Sequence, residues 1–309
     1  MAERISSAGN SDVLEQVLDV LRFRGSIFFR SGLAAPWGMS LEELGRPRFH
    51  ISMSGSFYIG GSGLSAPQRV EEMEIILLTG GFSHWIADQP GRPLVPGVQA
   101  YESCELGSPL FQFGDITNSV ICGQVRFDET ISHPFLDTLP PIIHIPHIER
   151  KSPLWQLVEL IDAETTQGLH SNSYIVDRLV EALFLMLLRQ HARQADSHSG
   201  FLGALNDHRI HKALTLIHQK PERPWTIDDM AASVGMSRTT LVRKFRDQVG
   251  VAPIEYLTSW RLIRARDMMS NSGKSLEKIA EEVGYSSAQT LARAFKRHFG
   301  YSTKVARET

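Results

Sequence analysis

Two clusters of side chains in the last third of the chain have the types needed to grip and read a polyanion. In one, Arg238 and Thr239 are followed by Arg243 and Lys244; in the other, Ser287, Gln289 and Thr290 are followed by Arg293, Lys296 and Arg297. Hydroxyl, amide and guanidinium groups pair with base edges in the major groove, and basic groups neutralise phosphates. On that division Arg238, Thr239, Ser287, Gln289 and Thr290 are the expected base-contacting residues. Ser237, Arg243, Lys244, Ser286, Arg293, Lys296 and Arg297 are the expected phosphate contacts. A basic surface is often only a solvated face. Here its frame occurs twice, and a repeated unit implies a repeated task.

The first copy reads Met230-Ala231, Val234-Gly235-Met236-Ser237, Leu241, Arg243, Phe245, Gly250; the second reads Ile279-Ala280, Val283-Gly284-Tyr285-Ser286, Leu291, Arg293, Phe295, Gly300. The spacing between copies lengthens by one residue after the serine, which predicts an extra residue just inside the second unit's second helix. Thr226 and Ser275 are placed to cap a first helix, and Ser237 and Ser286 a second. Gly235 and Gly284 end the first helices, because glycine takes positive φ without a Cβ penalty. Leu241, Phe245 and Val249, with Leu291, Phe295 and Phe299, give the second helices an apolar inner face. These are two helix-turn-helix units, at about 226–249 and 275–299. Pro253 opens a helix to about Ser270, a rod of roughly 25 Å at 1.5 Å per residue. Two recognition helices on one rod suit successive major grooves of double-stranded DNA, about 34 Å apart.

The stretches "GMSRTTLVRKFRDQVGVAPIEYL" and "IAEEVGYSSAQTLARAFKRHFG" resemble the DNA-binding domain of the AraC/XylS family of bacterial transcription regulators. The resemblance departs at Leu291, where the family usually has an aromatic, and at Thr303, where it usually has a proline. The second change removes a preset φ at a helix start, so the tail after Gly300 is expected to dock less firmly. The resemblance implies an activator, with RNA polymerase as a partner and a homodimer as the working form.

Charge supports the same division. The 309 residues carry a net −2, but residues 208–309 hold 18 Lys and Arg against 10 Asp and Glu, so the rest of the chain is acidic. A basic module joined to an acidic one places nucleic acid at the C-terminal part alone. No apolar run reaches membrane-spanning length, and residues 1–11 lack a signal-peptide core, which gives an expected cytoplasmic location and no membrane partner. No GxSxG, P-loop or CxxC motif is present, so no enzyme class is supported and no cofactor is expected.

From Phe49 to about Arg126 short strands alternate with glycine turns, the pattern of a small barrel or jelly roll. "FRGSIFFRSGLAAPWG", "ILLTGGFSHWIAD", "ICGQVRF" and "LPPIIHIP" resemble the cupin-type sensor domain of one AraC subfamily. Catalytic cupins hold a metal on clustered strand histidines. His50 and His84 are the only such candidates on strands here, since His133, His144 and His147 follow the barrel, so no metal is expected, and a metal-dependent enzyme with a DNA-binding tail is an alternative. A barrel can hold one small effector, with Phe49, Ile51, Phe57, His84 and Trp85 as candidate lining residues. Strand aromatics more often fill a core. Cys104 and Cys122 open a redox alternative if their Cα atoms lie within about 7 Å. Against it, Cys122 reads as a buried small residue and Cys104 sits between acidic neighbours.

Two helices follow, one through Leu154, Leu157, Val158 and Ile161, the other from about Asn172 to Ala195. The second is apolar on two sides and needs two partners, which predicts dimerisation through Leu179, Leu183 and Leu187. "QADSHSG" reads as linker. The expected architecture is α+β in two domains. A cupin-like sensor and dimerisation domain spans 1–195, with its barrel at about 25–145 and helices at about 153–195. A linker at 196–206 leads to an all-α DNA-binding domain at 207–309, with its two units joined by a long helix.

Overall fold

A computed structural model describes residues 12–106, 110–167, 174–194 and 200–308. These fall into two compact units: residues 23–127 with 140–194, and the C-terminal region together with the N-terminal helix and residues 128–139.

In the first unit, two five-stranded sheets enclose the core. One runs in the order β1 (Arg24–Leu33), β9 (Asn118–Arg126), β3 (Arg48–Ser54), β6 (Ile75–Leu78), β10 (Ile142–Ile145). The other is ordered β5 (Gln68–Val70), β4 (Phe57–Gly61), β7 (His84–Ala87), β2 (Gly38–Leu41), β8 (Val95–Pro96), with only β2 and β8 parallel. Burial alternates along β1, so Ile27, Phe29, Ser31 and Leu33 point one way, as period-two geometry requires. Phe29, Trp37, Met39, Phe57, Ile59, Ile76 and Val120 fill the space between the sheets. Trp37 Nε1 donates to the buried Asn118 Oδ1 at 3.0 Å, which satisfies the indole inside the core. Helix α2 (Gly97–Glu105) follows β8, inside the range where the sequence predicts only short strands and glycine turns.

Helices α4 (Pro153–Gln167) and α5 (Tyr174–Gln194) complete this unit. Helix α5 packs on both β1 and α4. Gly25 makes the close seat possible: a Cβ there would come within 2.3 Å of Val180. The second apolar side of α5 is therefore covered inside its own chain. Leu183 and Leu187 are fully buried, which removes these two of the three leucines expected at a dimer contact, and Leu179 is half-buried.

The second unit contains α1 (Val13–Val20), α3 (Pro134–Asp137) and α6 (Gly200–Asn206) to α13 (Val305–Glu308). The boundaries differ from those the sequence suggested. Residues 200–206, expected as linker, are a helix, with Phe201, Leu202 and Ala204 buried and α6 packed on α7 (His208–Gln219) and α9 (Arg238–Val249). Helix α1 and residues 128–139 pack here too, burying Val13, Leu14, Val17 and Leu18 of α1 together with Ile131 and Phe135, and a buried polar chain adds to that apolar contact. His133 caps α3, its Nδ1 accepting from Phe135 N at 3.1 Å. Its Nε2–H therefore donates to Tyr256 Oη at 3.3 Å; the tyrosine hydroxyl donates to His218 Nε2 at 2.8 Å; and His218 Nδ1–H donates to Gln16 Oε1 at 3.3 Å. Arg266 pairs with Asp128 at 2.9 Å beside this network.

That chain needs neutral imidazoles. Burial lowers the His133 pKa to about 3, so in the window from the unfolded value near 6.5 down to about 3 the unfolded chain binds the extra proton. Stability is complete above the window and is lost as pH falls into it. At pH 5.5 the loss from His133 alone is about 1.4 kcal/mol. Urea denaturation of this unit at pH 7.5 and pH 5.5 measures it, with a lower midpoint expected at pH 5.5 and a smaller difference in His133→Gln.

Candidate nucleic-acid interface

Both helical pairs are built by their caps. In the first, Thr226 and Asp229 form a capping box for α8 (Ile227–Val234), Gly235 closes it in the left-handed conformation at φ 67°, and the Ser237 side chain accepts from Thr240 N to start α9. In the second, Ser275 caps α11 (Leu276–Glu282) and Ser287 caps α12 (Ala288–Phe299) by accepting from Thr290 N at 3.2 Å. The expected cap Ser286 does not fill that role. The extra residue of the second copy thus lies in the turn, not inside the helix: helical geometry fixes the spacing from cap to Leu291, and a turn accepts an insertion. Gly284 is needed for two reasons, a φ of 83° and a Cβ site only 2.7 Å from the Glu222 carbonyl. Arg261 holds that same loop, donating from Nε to Pro221 O at 2.6 Å and from Nη2 to Arg223 O at 2.8 Å.

The helix that carries both pairs is α10 (Pro253–Asn271), which packs on α9, α11 and α12. Its 19 residues span about 28 Å. Tyr256, Leu257, Trp260, Ile263 and Met269 are buried along it. On the other side of each recognition helix the inner face is closed: Leu241, Phe245 and Val249 in α9, Leu291 and Phe295 in α12, all fully buried, with Phe299 half-buried. The tail after Gly300 is docked rather than loose. Ala306 is buried, Ser270 Oγ donates to the Ala306 carbonyl at 3.2 Å, and Arg307 reaches Lys274 O at 2.8 Å.

What remains outside is polar and basic. Ser237, Arg238, Thr239 and Arg243 are exposed on α9, as are Ser286, Ser287, Gln289, Thr290, Arg293, Lys296 and Arg297 on or beside α12. Arg246, which the sequence reading passed over, joins the exposed set on α9. Several of these residues have prior engagements, Ser237 among them as the cap of α9. Lys244 is half-buried and forms an ion pair with Asp207, the cap of α7, so it is not a free cation. Arg238 pairs with Asp228 at 3.3 Å, but both are exposed, and such a pair contributes only about 0–1 kcal/mol and opens readily. The Ser287 hydroxyl lies 3.0 Å from Thr290 Oγ1 while capping α12, so its use on a base would cost the cap.

The barrel histidines form a separate buried chain. His84 Nδ1–H donates to Phe82 O at 2.9 Å, so His84 Nε2 accepts from His50 Nε2–H at 2.8 Å, and His50 Nδ1 accepts the Cys122 thiol proton at 2.9 Å. Burial lowers the His84 pKa to about 4, pulls His50 well down and pushes the thiol up. Cys122 and His84 face opposite nitrogens of His50, so one ion cannot touch all three. No group of three His, Cys, Asp or Glu among the described residues could hold a metal ion. Cys122 is a free, buried thiol, and the Cys104 side chain lies outside the described residues. Phe49, Ile51 and Phe57 are fully buried as core. The Phe49 ring lies where a Cβ on Gly123 would be, and the Trp85 ring covers Gly60. Of the five candidates, His84 and Trp85 border a shallow cleft of about 270 Å³.

A β-barrel unit and a pair of helix-turn-helix units on one helix define a DNA-binding regulator class. Residues 12–193 match the cupin family and residues 230–309 the helix-turn-helix domain family. A putative AraC-like transcription regulator of Streptomyces lividans is 31% identical over 94% of this chain and 95% of its own length. The transcriptional regulator AlkR of Acinetobacter baylyi is 27% identical over 96% of this chain and 99% of its own. Among solved structures, the DNA-binding domain of AdpA in complex with a target DNA is 27% identical, covering 33% of this chain and 91% of that one, with a TM-score of 0.31. The chain belongs to the AraC family of DNA-binding transcription regulators, with an N-terminal cupin domain.

Proposed function

We propose that this regulator acts in the cytoplasm as a signal-responsive activator. Its barrel binds a small-molecule effector, its two recognition helices read successive major grooves of promoter DNA, and it works with RNA polymerase as a homodimer. The observation that carries the reading is the pair of exposed recognition faces fixed to α10, each with hydrogen-bonding side chains near the helix start and cations further along. On the two helices, the exposed apolar side chains that a second copy could meet include Leu160 on α4 with Tyr174 and Ile175 on α5.

Base readers and phosphate contacts separate by their effect on sequence preference. Arg238→Ala removes a group that reaches base edges once its exposed partner Asp228 lets go, and relaxes preference at one base position by about 1–3 kcal/mol. Lys296→Ala removes a phosphate contact and weakens every duplex alike. Competition binding against a selected site and its single-base variants measures both. If the two variants shifted preference in the same way, the assignment of roles would be wrong.

A further inference from the structure

Between β2, β3, β9 and α2 lies a cleft of about 420 Å³, within the range that holds a small organic ligand. Its lining is mostly apolar, with Phe28 inside and Leu44, Val98 and Tyr101 toward the mouth; Leu44 and Val98 are 48% and 62% exposed. None of the residues that the sequence singled out for an effector borders it. Its one buried charge is Arg48, only 6% exposed. Among the described residues this guanidinium has no carboxylate partner. It makes a single hydrogen bond, from Nη1 to the Glu42 carbonyl at 2.6 Å, and its buried Nε has no acceptor. The Phe28 ring lies 5.9 Å from Arg48 Cζ. Gln124, opposite Arg48 in the β3–β9 register, also lines the cleft, and the Tyr101 hydroxyl has no partner among the described residues.

An arginine out of water with an unused donor is costly to leave so. The planar fork suits a carboxylate, which accepts two parallel N–H bonds. The nearby charges are the exposed side chain of Glu42 and that of Arg46, of opposite sign, so the desolvated Arg48 sets the preference. We propose that this cleft is the effector site and that it takes an amphipathic monocarboxylate, its acid on Arg48 and its apolar body against Phe28, Leu44 and Val98. The proposal rests on the reading of the barrel as a sensor and adds the ligand class and the residue that selects it. A phosphate fits less well, since two negative charges would demand more donors than Arg48, Gln124 and Tyr101 supply.

The test is calorimetric titration of the full-length protein with 4-phenylbutyrate and decanoate, each against the matching alcohol, 4-phenylbutan-1-ol and decan-1-ol. At least one acid is expected to bind tenfold or more tightly than its alcohol. In Arg48→Gln that preference falls to threefold or less. In Val98→Trp, a change at the exposed mouth that leaves the core intact, acid and alcohol both weaken. The proposal is overturned if neither acid outbinds its alcohol in the wild-type protein, or if Arg48→Gln keeps the preference. Duplex binding by the same preparations is scored separately: DNA binding without acid binding sinks the carboxylate site and leaves the regulator reading standing, whereas acid binding without DNA binding does the reverse.

Discussion

Duplex affinity is expected to fall about 150-fold between 50 and 200 mM monovalent salt. The figure counts only Arg243, Arg293, Lys296 and Arg297, the exposed cations that the sequence assigns to phosphates, each releasing about 0.9 counterion from B-form DNA, for a slope near −3.6. Lys244 is left out because Asp207 already neutralises it, although its position along α9 equals that of a phosphate contact. Replacing Arg293, Lys296 and Arg297 together by alanine should flatten the slope by about 2.7. Those side chains are exposed, and Phe295 and Leu291 hold α12 in place without them, so the variant keeps its fold. Its cost is confined to a weaker last turn, where cations favour the helix C-terminus by a few tenths of a kcal/mol each. Fluorescence anisotropy of a labelled duplex across the salt series gives both slopes. An unchanged slope in the triple variant would place DNA elsewhere.

Leu183→Arg is expected to unfold the barrel unit rather than divide a dimer. Leu183 is fully buried where α5 meets the barrel and α4. Emptying such a site costs about 2–5 kcal/mol, and an unpaired guanidinium in its place adds several more. That sum is comparable to the roughly 5–15 kcal/mol that holds an ordinary domain together. Ile175→Arg, at a position 54% exposed, should leave the fold within about 0.5 kcal/mol and separate the two copies. Circular dichroism melts beside sedimentation velocity distinguish the outcomes. A well-folded monomer from Leu183→Arg would restore α5's inner face as the dimer contact.

These two cases show where the sequence was legible. The helix-turn-helix pairs could be read because their determinants are local: a cap, a glycine and an i, i+3, i+4 face lie within one turn of each other, and the repeat doubles each signal. The strands and glycine turns of the barrel were legible for the same reason. Partner choice was not. An apolar face reports that something covers it, and β1 and α4 cover α5 as well as a second subunit would. Gly25 carried the only hint, a missing side chain where Val180 comes close. Arg48 was invisible because its meaning lies in what it lacks, and only coordinates show an unused donor. The turn insertion at Ser286 was misplaced by one position, since adjacent serines offer two equivalent caps until the backbone selects Ser287.

The central claim is that both recognition helices of one chain engage the same duplex. Hydroxyl-radical footprinting of the protein on a site selected from random DNA tests it most directly. The account predicts two protected backbone segments per chain, centred about 10 base pairs apart on one face, with Arg243→Ala weakening one and Arg293→Ala the other. A single protected segment per chain, weakened by only one of these substitutions, would contradict it.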